Sequence, residues 1–184
     1  MKYYHGTTSV NLTELEPFAN RDSNLQKSCV YLTKQRAVAA LYIWNKPYRW
    51  MTFGFNADGI PVYTESFQNS LREFYYGVSG RIYTCEGDYT DDGKVGIRHV
   101  VYSEKPVAIA KCEIVENAYQ RILEYERSGE IILNLYDNLT SKQHASNKNM
   151  VQNFIKDAGL MQSNNVYAEF VKEKFPKWWE QMLY

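Results

Sequence analysis

The sequence predicts an α+β domain, and three observations carry that prediction. Short aromatic or β-branched runs at Lys2–His5, Ser28–Leu32, Arg81–Glu86 and His99–Ser103 have the length and composition of strands. Other stretches, such as Ala37, Ala40, Leu41 and Trp44, place apolar residues at the i, i+3, i+4, i+7 spacing of one buried helix face. The two signals follow one another through 184 residues without an internal repeat or domain linker, a length that suits one domain or one domain with an appended subdomain.

Taken in order, Lys2–His5 is a strand that Gly6 ends, and Thr7–Glu14 a polar connection. Leu15–Gln26, with Pro17, Asn20, Asp22, Ser23 and Asn24, is rich in turn formers and reads as a surface loop. After the strand Ser28–Leu32, Thr33 is expected to cap a helix that runs through Trp44 and is stopped by Pro47. Arg49–Phe55 and Ile60–Thr64, joined by Asn56-Ala57-Asp58-Gly59, form a hairpin, and Ser66–Tyr76 an amphipathic helix.

The strand Arg81–Glu86 leads into the acidic loop Gly87–Gly96. Two further strands, His99–Ser103 and Val107–Val115, are separated at Lys105-Pro106. Asn117 caps a helix that Gly129 closes, Glu130–Tyr136 is a last strand, and helices are expected from Ser146 and from Asn165, the second bent or restarted at Pro176. Residues 1–136 thus read as the main domain, 45–79 as an insertion in it, and 137–184 as a helical extension packed on it, with the polar stretch 140–149 as a candidate hinge.

Composition narrows the function classes. Lys plus Arg equals Asp plus Glu, so no general field draws in a polyanion, and this argues against a nucleic-acid partner. Cys29, Cys85 and Cys112 match neither a metal spacing nor a disulfide framework, and reduced thiols in a cytosol are expected. Neither a leader-like N-terminus nor a membrane-spanning apolar run is evident, which gives a cytoplasmic expectation and makes the sequons at Asn11 and Asn138 chance matches. The 16 Tyr and 4 Trp suit a core edge or a pocket that stacks a flat ligand. A glycine-rich dinucleotide fingerprint, a phosphate loop and a paired-histidine metal motif are all missing from the sequence, and His144 stands by itself in a polar stretch.

Tyr4-His5-Gly6-Thr7 and Val30-Tyr31-Leu32-Thr33, the second followed by the Ala-rich segment Gln35–Trp44, resemble the first and second motifs of the ADP-ribosyltransferase superfamily. The pattern is most similar to the small bacterial rifampicin-inactivating ADP-ribosyltransferases, with further likeness at Arg81-Ile82-Tyr83, in the acidic loop and at Lys105-Pro106-Val107. The resemblance spans residues 3–45 and 80–115. It implies a split, mostly antiparallel β-sheet with flanking helices and NAD in the cleft, NAD being a substrate whose nicotinamide–ribose bond is broken.

Breaking that bond develops an oxocarbenium-like cation, which a strained substrate pose and nearby negative charge stabilise. By resemblance His5 bonds the adenosine-side ribose, the Gly6 backbone holds the nicotinamide amide beside Thr7, and Tyr31 stacks on the nicotinamide ring. In poly(ADP-ribose) polymerase-like members a glutamate precedes the strand resembling His99–Tyr102; here Arg98 or His99 holds that place. The rifampicin-type enzymes use an aspartate of the acidic loop instead, which maps to Asp91 or Asp92, with Glu86 a poorer candidate.

Arg21, Arg36 and Arg98 are each offered for a bidentate pyrophosphate contact, and Tyr48, Trp50 and Phe53 for an acceptor pocket. The acceptor is an unidentified small molecule or protein. Plainer readings stand beside these: His5 as a surface histidine, Tyr31 as core, the aspartates as a solvated turn, the hairpin aromatics as packing, and Trp178-Trp179 as an anchor for the tail helix. Two rivals share the fold: RNA 2′-phosphotransfer, which needs a basic groove, and a binding module without catalysis.

Overall fold

The computed structural model describes residues 1–19, 25, 27–89 and 91–183. The strands are β1 (Lys2–Thr7), β2 (Glu14–Leu15), β3 (Phe18–Ala19), β4 (Ser28–Thr33), β5 (Phe53–Phe55), β6 (Pro61–Thr64), β7 (Gly80–Glu86), β8 (Val100–Ser103), β9 (Val107–Ala108), β10 (Lys111–Val115) and β11 (Ile132–Asn134). The helices are α1 (Arg36–Leu41), α2 (Ser70–Tyr75), α3 (Ala118–Arg127), α4 (Ser141–Asp157), α5 (Val166–Lys174) and α6 (Pro176–Glu180). The class is α+β with mostly antiparallel sheets.

Two compact units divide the chain, one of Met1–Asn45, Phe53–Tyr63 and Leu71–Leu133, the other of Lys46–Thr52, Thr64–Ser70 and Asn134–Tyr184. The residues read as an insertion are therefore shared between the units.

In the first unit a six-stranded sheet runs β10-β7-β1-β4-β3, with β8 also pairing β4. β1 pairs β7 along its whole length, from Lys2 opposite Glu86 to Thr7 opposite Arg81. Against β4 it shares one paired position, Tyr4 with Thr33, whereas β4 pairs β8 over Val30–Thr33. Because strand side chains alternate, the register sorts them. Tyr3, Tyr83, Cys85, Val30, Leu32 and Val101 form one buried cluster on one face, and Cys29, Val100 and Tyr102 a second, with Tyr31 packed against it.

Helix α1 is buried at Ala37, Val38, Ala39, Ala40 and Leu41. It lies so close to β1 that a Cβ on Gly6 would stand 1.7 Å from the Ala39 carbonyl oxygen. Gly6 therefore does not end the strand; it is paired with Ile82 and makes room for the helix. The helix is shorter than expected. It starts after Gln35, ends at Leu41, and leaves Trp44 outside to pack on Phe74 and Tyr75. Thr33 remains in β4, and its hydroxyl accepts the Gln35 N–H at 3.2 Å rather than capping the helix.

The expected strand Val107–Val115 is broken into β9 and β10, and β9 pairs with β2 while β10 pairs with β7. The hairpin forms with shorter arms, β5 and β6, and Gly59 takes the positive φ of 79° that its turn needs. Asn117 caps α3 by accepting from the Gln120 N–H.

In the second unit α4 begins at Ser141, five residues ahead of expectation, because Thr140 and Gln143 form a reciprocal capping box. The polar stretch 140–149 is thus mostly helix, and His144 sits against the Tyr136 ring rather than in a loop. Asn165 caps α5, and Pro176 restarts the chain as α6. An aromatic core joins Trp50 to Phe154, Phe170 and Phe175, Tyr48 to Phe170, and Trp178 to Phe175. Trp50, 6% exposed, donates its indole N–H to Ser66 at 2.8 Å.

Candidate functional site

The first-motif histidine lies where β1 and β4 part. Among the described residues these strands share the Tyr4–Thr33 pair and no further rung, and His5 Nδ1 lies 2.9 Å from the Tyr31 carbonyl oxygen, linking the two strands through its side chain. With Tyr31 O as acceptor, Nδ1 carries the proton and Nε2 is left as the acceptor nitrogen of a neutral ring. Burial pushes the imidazole's pKa below its ordinary 6.5, partly offset by that hydrogen bond.

The two motif side chains do not converge on one recess from the same face. His5 is opposite Tyr83, shares a face with Tyr3 and alternates with Tyr4 and Gly6, which places it on the side of the Tyr3–Val30–Leu32 cluster. Tyr31 alternates with Val30 and Leu32 and faces Tyr102 across β8 on the other side, edge-on to Phe18 with ring centroids 6.1 Å apart. Their meeting point is the Tyr31 carbonyl, which lies in the sheet rather than on a face. Gly6 is held by the packing of α1, and Thr7 ends β1 with its hydroxyl accepting the Ser9 N–H at 3.1 Å.

The carboxylate candidates separate. Glu86 faces Lys2 and lies three residues along β7 from Tyr83, the residue opposite His5, or about 10 Å away at the strand rise. Asp91 is exposed in the loop. Asp92 is held on Tyr31's side of the sheet. Its Oδ2 accepts from the Tyr102 hydroxyl at 3.1 Å and pairs with Lys94 Nζ at 2.9 Å, while Oδ1 accepts the Lys94 N–H at 3.1 Å. Hydrogen bonding to Lys94 holds its carboxyl below the usual range.

Tyr102 is the residue the sequence reading missed. It stands opposite Tyr31, receives the Lys27 ammonium over its ring at 5.0 Å, and carries Asp92. Its alternation with Val101 was legible, but its partner depended on a register that no local signal sets.

The arginines also divide. Arg36 is drawn into an ion pair with Glu113, which Arg121 of α3 also joins, so its guanidinium ties α1 to β10 instead of standing ready for a pyrophosphate. Arg98 donates to the Asn56 carbonyl at 3.4 Å, and Arg21 lies outside the described residues. Tyr48 and Trp50 belong to the second unit's packed core, while Phe53 contacts Tyr42 and Phe55 in the first, so the three do not line one pocket. Trp179 is buried. Among the described residues no group of three or more His, Cys, Asp or Glu side chains could hold a metal ion, and no helix is long and apolar enough to cross a membrane.

No family model, curated protein or solved structure matches the chain.

Proposed function

We propose that the first unit is an ADP-ribosyltransferase-like domain that binds NAD at the β1–β4 parting and transfers its ADP-ribose to an unidentified acceptor or to water. The observation that carries the reading is the hydrogen bond from His5 to the Tyr31 carbonyl. It ties together the two strands whose motifs suggest the family, next to the pair, Tyr4 with Thr33, that they share. Asp92, ionised and carried by Tyr102 onto Tyr31's side, supplies the negative charge that a developing ribosyl cation needs. His5 Nε2, free to accept, suits a ribose hydroxyl, and the ligand lies across the strand edge because the two motif side chains leave the sheet on opposite faces.

The test is calorimetric titration with NAD of the full chain and of His5→Ala, followed by chromatography for released nicotinamide. NAD binding lost in His5→Ala, with nicotinamide release lost in Asp92→Asn, is the expected result. Absence of heat with either protein retires the proposal.

A second reading, a binding module without chemistry, is favoured by the way Lys94 and Tyr102 already engage Asp92. It prevails if NAD binds, no nicotinamide appears over hours, and Asp92→Asn binds as tightly as the parent. RNA 2′-phosphotransfer has less support, since Arg36 is engaged by Glu113.

A further inference from the structure

The hairpin turn 56–59 sits on a small set of polar side chains that its own carbonyls satisfy only in part. Gln35 Nε2 donates to the Gly59 carbonyl at 2.7 Å, and Arg98 donates to the Asn56 carbonyl at 3.4 Å. The His99 ring lies edge-on to Phe55, 5.0 Å between centroids, and its Nε2 would stand 3.2 Å from a Cβ on Gly59. Two buried atoms of this set, Gln35 Oε1 and His99 Nε2, have no hydrogen-bond partner. His99 also holds a positive φ of 63°, outside the preferred backbone region of a non-glycine residue.

Buried polar atoms are nearly always paired, so two orphans around one turn call for a missing partner. The groups around the turn are an amide with both a donor and an acceptor, an exposed guanidinium and an imidazole. Together they match an oxyanion with a neighbouring hydroxyl: the guanidinium and the amide N–H address the anion, and Gln35 Oε1 accepts from the hydroxyl. The Gly59 and Asn56 carbonyls stand where the oxygens of such a ligand would go.

We infer that Gln35, Arg98 and His99 form a binding subsite for a phosphorylated sugar, and that the 56–59 turn is an internal plug which such a ligand displaces. All of these residues lie in the first unit. The inference does not rest on the NAD reading.

The plug gives the proposal two signs to test. Titrating the full chain with ribose 5-phosphate, Gln35→Leu and Arg98→Ala each weaken binding about fivefold to tenfold, the loss of one or two hydrogen bonds. Gly59→Ala, strained at its positive φ and crowding His99, and Asn56→Ala, which removes the side-chain acceptor of the Ile60 N–H, loosen the turn and tighten binding. The two turn variants keep the proposal testable if one of them fails to fold, which circular dichroism shows. Shifts in the same direction for both groups of variants, or no binding by any of these proteins, overturn it. So does a crystal grown with saturating ligand in which one water bridges Gln35 Oε1 and His99 Nε2 beneath a closed turn. Loss of NAD binding in His5→Ala bears on the other proposal alone, so the two can fail separately.

Discussion

Replacing Gly6 by alanine tests whether the closeness of α1 to β1 is what requires a glycine there. An added Cβ would lie 1.7 Å from the Ala39 carbonyl oxygen and 2.6 Å from its carbon. Both partners are backbone, in the most buried helix of the sheet unit, so no side chain can swing aside. Restoring van der Waals distance needs about 1.5 Å of separation between strand and helix, enough to forfeit much of the dispersion contact along Ala37–Leu41. Overpacking of this kind costs about 3 kcal/mol, the upper end of its usual range because the backbone itself must move. For a chain of this length that lowers Tm by about 6–12 °C. Gly54→Ala is the control: an added Cβ there meets nothing within 4 Å, and the change is expected to stay within about 0.5 kcal/mol. Thermal unfolding followed by circular dichroism measures both. A Gly6→Ala protein melting within about 2 °C of the parent would refute the packing account.

Three further outcomes are expected. Because burial depresses the His5 pKa, the unfolded chain binds that proton more readily, so the stabilisation is present above pH 6.5 and is lost as pH falls through the lower folded value; urea midpoints against pH, compared with His5→Asn, should show this slope only in the parent. Lys94→Ala should raise the Asp92 pKa toward 3.8, read from its side-chain carboxyl resonance, since Lys94 is the largest cause of its lowering. Cys112 is exposed while Cys29 and Cys85 are buried, the latter thiol pushed up to about 11; a thiol reagent should therefore label one cysteine quickly in the native protein and all three once it is unfolded.

The parts of the fold that sequence reveals are those fixed by local chemistry. Asn117 and Asn165 cap helices, Gly59, Gly129 and Gly159 take positive φ, and Pro176 opens a helix, all as their residue types require. The misreadings have two causes. At Thr140 a capping signal of the right spacing was present and was outweighed by the polarity of the residues after it. At Val107–Val115 one β-branched run became two strands because its halves pair with different neighbours, β2 and β7. A helix expected through Trp44 stops at Leu41, because Trp44 packs on Phe74 and Tyr75 instead; tertiary contact overrides the helical period.

The candidate site shows where such local legibility ends. His5 and Tyr31 were read as strand-end residues; both lie inside neighbouring strands, each followed by two more strand residues, 26 positions apart and joined through a hydrogen bond. What they present to a ligand depends on parity, and a single residue of register reverses it. The cross-strand pairs Tyr4 with Thr33, His5 with Tyr83 and Tyr31 with Tyr102 assign the imidazole and the phenol to opposite faces. The same parity brings Tyr102, and through it Asp92, to Tyr31's side. A ligand that uses both motifs must therefore cross the β1–β4 edge. Under the proposed NAD reading, Tyr102→Phe then separates the roles: it removes the hydroxyl that holds Asp92 to β8, leaves the Lys94 bonds in place and does not touch His5, so it should leave NAD affinity within about twofold while slowing nicotinamide release about tenfold, the scale of one lost hydrogen bond to a charged group. Equal losses in both quantities would mean that Tyr102 serves the sheet and not the carboxylate.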